Sequence, residues 1–111
     1  MALVHASPDL AVDVSRLDDV TTVILDGVVD LATAPELRAA LLPLVVAGES
    51  VVLDLAGVTF VDSTGLGVLV AAHRRAKAAG SRFLFSRPSD NLRVVLRITH
   101  LDAIFEIDPG A

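Results

Sequence analysis

Between Val51 and Gly67 the chain reads VVLDLAGVTFVDSTGLG, and the rest of the sequence can be arranged around this stretch. Val51-Val52-Leu53-Asp54-Leu55 is a short run of mostly branched apolar residues. A run of this kind predicts a strand covered on both faces of a parallel sheet. Ala56-Gly57 predicts a turn and Val58 to Val61 an apolar connector. Asp62-Ser63-Thr64-Gly65 then predicts a helix start, because oxygen-bearing side chains accept from the free N–H groups that open a helix. A hydroxyl pair is therefore expected on a helix tip at the carboxyl end of a central strand, where open α/β sheets place their working residues.

The same grammar extends in both directions. Val20 to Leu25 is a Thr/Val/Ile run ending at Asp26-Gly27, followed by Val28-Val29-Asp30. Thr33-Ala34-Pro35-Glu36 is a capping-box sequence with Pro in the first turn, opening a helix with Leu37, Leu41, Leu44 and Val45 at core spacing. Pro43 predicts a kink or an early end to that helix, and Gly48 its close. The helix after Thr64 is expected to reach about Ala79, with Leu69, Ala72, Ala76 and Ala79 on its core stripe. Gly67, Ala71, Arg74 and Ala78 fall opposite, and the uncharged start of that strip suits a flat partner contact. Gly80 ends the helix, Phe83-Leu84-Phe85 is the next strand, and Pro88-Ser89-Asp90 caps a third helix with Leu92, Val95 and Leu96 inward and Arg93 and Arg97 outward. Ile104 to Ile107 predicts a last strand. Before all this, Leu10 to Val14 is a short edge strand leading to the polar turn Leu17-Asp18-Asp19. The expected fold is a single α/β domain over residues 1–111: a mainly parallel sheet of four to five strands with right-handed βα crossovers and an antiparallel N-terminal strand. Residues 1–9 and 108–111 are expected to be flexible.

Composition narrows the function. The chain is 53% hydrophobic, yet no apolar run approaches the roughly eighteen residues of a membrane span. The N-terminus has no basic segment followed by an apolar core, so a cytoplasmic protein is expected. Absence of cysteine removes disulfides and thiolate chemistry. With a formal net charge of −5 and four Phe as the entire aromatic complement, direct nucleic-acid binding is not expected. Nor is a cofactor or metal: Gly65-Leu66-Gly67 lacks the last glycine of G-x-G-x-x-G and any following Lys. An enzyme would need a base for Ser63. Val61 stands where a G-x-S-x-G elbow requires glycine, and His5, His73 and His100 form no catalytic arrangement. His73 lies ten residues along the helix from Ser63, about 15 Å by helical rise.

Three segments carry a family resemblance: GVVDLATAPELRAAL from Gly27, VVLDLAGVTFVDSTGLGVLVAAHRRAKAAG from Val51, and LRVVLRITHLDAIFEI from Leu92. Together, over about residues 20–107, they resemble a STAS domain, the domain shared by bacterial anti-sigma factor antagonists and the cytoplasmic tails of sulfate transporters. DSTGLGVL is the most specific part, and without a membrane portion the chain looks like the stand-alone antagonist class. The resemblance implies that Ser63 is phosphorylated by a cognate anti-sigma factor, a serine kinase of histidine-kinase-like ATPase fold, and that a metal-dependent serine phosphatase reverses this. It further implies that the unmodified form binds the anti-sigma factor and frees the sigma factor. Asp30, in the GVVD segment, is expected with Asp62, Ser63, Thr64, Gly67 and Ala71 on the partner surface, Thr64 being the weaker acceptor. The competing reading is a STAS subunit that acts constitutively, as a scaffold or as the small cytoplasmic partner of a lipid-transport ATPase, with Ser63 only a cap. His100 stands where the family usually has Gly; a left-handed cap there costs a His more.

Overall fold

The computed structural model describes residues 2–108; Met1 and residues 109–111, and with them most of the expected flexible end, lie outside the described residues. The six strands form one sheet whose spatial order is the order of the chain. β1 (Ala2–Ala6) pairs antiparallel with β2 (Leu10–Leu17), and β2 with β3 (Val20–Val29). Asp18 and Asp19, with φ of 52° and 65°, make the two-residue hairpin turn between β2 and β3, the positive angles matching the right-handed twist of the paired strands. β3, β4 (Ser50–Val61), β5 (Phe83–Ser86) and β6 (Glu106–Asp108) are parallel neighbours. The crossovers between them carry α1 (Ala34–Val46), α2 (Ser63–Ala78) and α3 (Asp90–Ile98), the last followed by a 3-10 turn at Leu101–Ala103.

The α/β class and the parallel sheet with an antiparallel N-terminal portion are as expected, with differences of detail. Residues 2–6 form β1 rather than a flexible lead-in, which raises the strand count to six and takes β2 off the edge. The central strands are core on one face only: Val23 and Leu25, Val51, Leu53 and Leu55, and Phe83 and Phe85 are buried, whereas the intervening Ile24, Val52, Asp54 and Leu84 are half-buried. Ala56-Gly57 is not a turn. β4 runs through it, and the pairing with β3 slips between Ile24 and Asp26, so the extra residue is absorbed as a bulge.

α1 and α2 lay Leu37, Leu41 and Val45 and Leu69, Ala72 and Ala76 into this core, while Leu44 is half-buried and Ala79, just past the end of α2, is exposed. The helix continues through Pro43 to Val46. Pro43 and Ala39, the residue whose carbonyl it leaves without a helical donor, are both on the exposed side, open to solvent. Ser89 caps α3 as expected, its hydroxyl accepting from the Leu92 N–H at 3.3 Å. His100 is in the left-handed region at φ 61°, so this chain places a histidine in a conformation that favours glycine.

Candidate functional site

The carboxyl ends of β3 and β4 and the start of α2 meet at Asp62. Its backbone N–H donates to the Val29 carbonyl at 3.0 Å, continuing the β3 contact to the last residue before the helix. Its carboxylate works in two directions. Oδ1 accepts the Gly65 N–H at 2.9 Å and so caps α2, while Oδ2 accepts the Leu31 N–H at 3.1 Å from the loop before α1. Gly65 can approach this closely because it has no side chain: a Cβ there would sit 2.7 Å from the Val29 carbonyl oxygen and 2.9 Å from Val61 Cγ1.

Ser63 is therefore the first residue of the helix and not its cap. It is exposed, and among the described residues its hydroxyl has no hydrogen-bond partner. Thr64, expected to be less accessible, is exposed as well. The fold uses neither hydroxyl, and the Ser63 and Thr64 N–H groups are two of the orphan donors that every helix leaves at its start.

A second carboxylate shapes the neighbouring loop. Asp30 Oδ1 accepts the Ala32 and Thr33 N–H groups, each at 3.0 Å. Thr33, read as the cap of α1, makes no side-chain cap bond; its hydroxyl donates to the Val28 carbonyl at 2.8 Å and accepts the Asp30 N–H at 3.0 Å. The buried threonine locks the loop while Asp30 holds its free amides. Asp30, Asp62, Ser63 and Thr64 thus share one end of the sheet, joined through the bond from Leu31 to Asp62. Gly67 is exposed one turn along α2, but Ala71, expected to be exposed, is half-buried.

Asp54 belongs elsewhere: it accepts the Ala56 N–H at 3.1 Å and pairs with Arg87. Sequence reading missed three exposed apolar residues. Leu31 is 74% exposed, Phe60 53% and Val94 44%. Phe60 and Val94 flank a depression of about 310 Å³ between the end of β4 and α3, with Val58, Ser89 and Asn91 also on its walls. An apolar residue within the polar loop Asp30–Thr33 was the signal available for Leu31.

Asp62→Ala removes the cap and the cross-tie together. It is expected to cost about 1–2 kcal/mol, a fall in melting temperature of roughly 5–10 °C for a domain this small. An unchanged melt would show that neither bond contributes.

Comparison with known proteins places this geometry. The family model for the STAS domain matches residues 11–110. The chain belongs to the STAS domain family. Over 99 residues this STAS chain is 33% identical to an anti-sigma-B factor antagonist of Bacillus subtilis, a match spanning 89% of this chain and 91% of that protein. It is 34% identical over 102 residues to an anti-sigma-B factor antagonist of Listeria monocytogenes, with 89% of each covered. The crystal structure of an anti-sigma factor antagonist from Mycobacterium paratuberculosis superposes with a TM-score of 0.84 at 28% identity, over 96% of this chain and 92% of that one. The STAS chain falls among the anti-sigma factor antagonists, which are regulators and not enzymes. Among the described residues no helix is long and apolar enough to cross a membrane.

Proposed function

We propose that this chain is a cytoplasmic antagonist that binds an anti-sigma factor through the surface around Asp62 and Ser63, and that phosphorylation of Ser63 ends the contact. In the unmodified state it sequesters the anti-sigma factor and the sigma factor is free. The anti-sigma factor is itself the serine kinase, and a metal-dependent serine phosphatase restores the binding form. The observation that carries this reading is the idle Ser63 hydroxyl: exposed at the first position of α2, with the capping already done by Asp62. The constitutive alternative reads Ser63 as no more than a helix cap, whereas the capping oxygen belongs to Asp62.

The electrostatics fit a switch read by the partner. A phosphate adds roughly −1.5 to −2 charge, which a helix N-terminus tolerates, so the domain stays folded. A partner carboxylate about 6 Å away then feels repulsion of about 3 kcal/mol per unit charge at an effective dielectric near 20. Two units weaken binding by several powers of ten. Asp62 already makes the site acidic. Partner contact extends over Asp30, Thr64, Gly67 and Ala71, with Leu31 and Phe60 as its apolar anchors.

Incubation with the cognate kinase and ATP is expected to add one phosphate, located by peptide mapping at Ser63. Gly67→Glu, at a position where a Cβ meets nothing within 4 Å, is expected to lower affinity at least tenfold with little change in the melt. Phosphate elsewhere, or none, sinks the switch; unchanged affinity in the glutamate variant moves the contact off α2.

A further inference from the structure

The second half of α2 carries a feature that the partner switch does not use. Val70, Arg74 and Lys77 line one wall of a cleft of about 380 Å³, and Leu101, Ile104 and Phe105 from the 3-10 turn and the residues after it line the other. The floor is built: Phe105 stacks on Phe85 with ring centroids 4.3 Å apart and meets the His73 ring at 5.4 Å. Ile104, on the rim, is 57% exposed.

The titratable side chains that line the cleft are all basic, His73, Arg74 and Lys77, and Asp102 of the 3-10 turn is exposed outside that lining. Arg16, Arg82 and Arg87 are each tied to a carboxylate, whereas among the described residues Arg74 and Lys77 pair with none. Glu106, the acid lining the adjoining depression, is engaged by Arg82 at 2.6 Å. Burial, and then the Lys77 charge, lower the His73 pKa. In a chain of net charge −5 this is a local cationic rim over an apolar hole. Such a site gains from an apolar body that removes its lining from water and from one negative end set against the two free cations. A small polar anion leaves the lining wet, and a neutral hydrocarbon leaves the cations unused.

We propose that this cleft is a binding site for a small carboxylate with an apolar body on the order of eight carbons. The site is separate from the switch: Arg74 lies about 16 Å of helical rise beyond Ser63. The proposal accordingly stands or falls independently of the phosphorylation reading.

Titration of the ¹⁵N-labelled full chain with sodium octanoate tests it. Saturable amide shifts confined to residues 70–78 and 101–105 are expected, with a dissociation constant on the order of 1 mM or tighter. 1-Octanol and acetate should each bind at least about tenfold more weakly, isolating charge and apolar body in turn. Arg74→Gln with Lys77→Gln should weaken octanoate about tenfold, and Lys77→Gln alone by less, both with an unchanged melt since the side chains are exposed. Shifts that fail to saturate or fall elsewhere, octanol matching octanoate, or full affinity in the double variant each overturn the proposal. So does tighter binding of a hexaglutamate peptide, which marks the cleft as a face for an acidic protein.

Discussion

Ser63→Asp is expected to bind the anti-sigma factor about 100-fold more weakly than the unaltered chain while melting at the same temperature or slightly higher. One negative charge set near a partner carboxylate accounts for the loss, at about 3 kcal/mol. The same charge is favourable at a helix N-terminus, which accounts for the stability. Ser63→Ala should retain full affinity and resist phosphorylation. Its melt should also be unchanged, because the cap is Asp62 and the serine hydroxyl holds nothing among the described residues. Affinity therefore separates from stability across the pair. Thermal melts and a titration against the partner measure both; if Ser63→Asp loses binding only in proportion to lost stability, the charge is not what the partner reads.

The largest effect on folding is expected at Gly27→Ala. Gly27 has φ of 125°, which L side chains rarely adopt, and an added Cβ would lie 2.0 Å from the Asp9 carbonyl oxygen. That oxygen accepts the Val28 N–H at 2.8 Å, so relief of the clash breaks the bond joining the start of β2 to β3. Strain and overpacking together should cost at least about 3 kcal/mol in urea denaturation. Gly67→Ala is the control. It sits inside α2 with open space around it, and should stabilise by about 0.5–1 kcal/mol. A loss below about 1 kcal/mol at Gly27 would mean that the loop before β2 yields freely.

What could be read from the chain and what could not divide along physical lines. The start of α2 was legible because Asp-Ser-Thr-Gly after an apolar strand admits few local structures, and the left-handed His100 only through the glycine that the resembling family usually has there. Which oxygen did the capping was not legible. Asp62, Ser63 and Thr64 are all good caps, and the choice is made by tertiary bonds from Val29 and Leu31. Thr33 shows the same limit: its sequence fits a capping box, but Asp30 takes the amides first and the threonine turns inward to Val28. β1 escaped notice because five residues without clear alternation become a strand only through pairing with β2. The one-sided burial of β4 was hidden as well, since an apolar run alone does not say whether a second layer exists. The exposed Leu31, Phe60 and Val94 were unreadable because the fold alone decides which apolar side chains stay uncovered.

The coincidence of sheet order with chain order bears on how the protein is made. Each new strand joins the edge left by the one before it, and no strand has to be threaded between two that are already paired. Closure entropy can then be met in small steps, since all three strands of the antiparallel β1–β2–β3 meander precede the first crossover in the chain. The groups that seat Ser63 are the Val29 carbonyl, the Leu31 N–H, Asp62 and Gly65, all upstream of the middle of α2. Emerging from a ribosome, the chain can therefore assemble the cradle of Ser63 before β5 and β6 have left the exit tunnel.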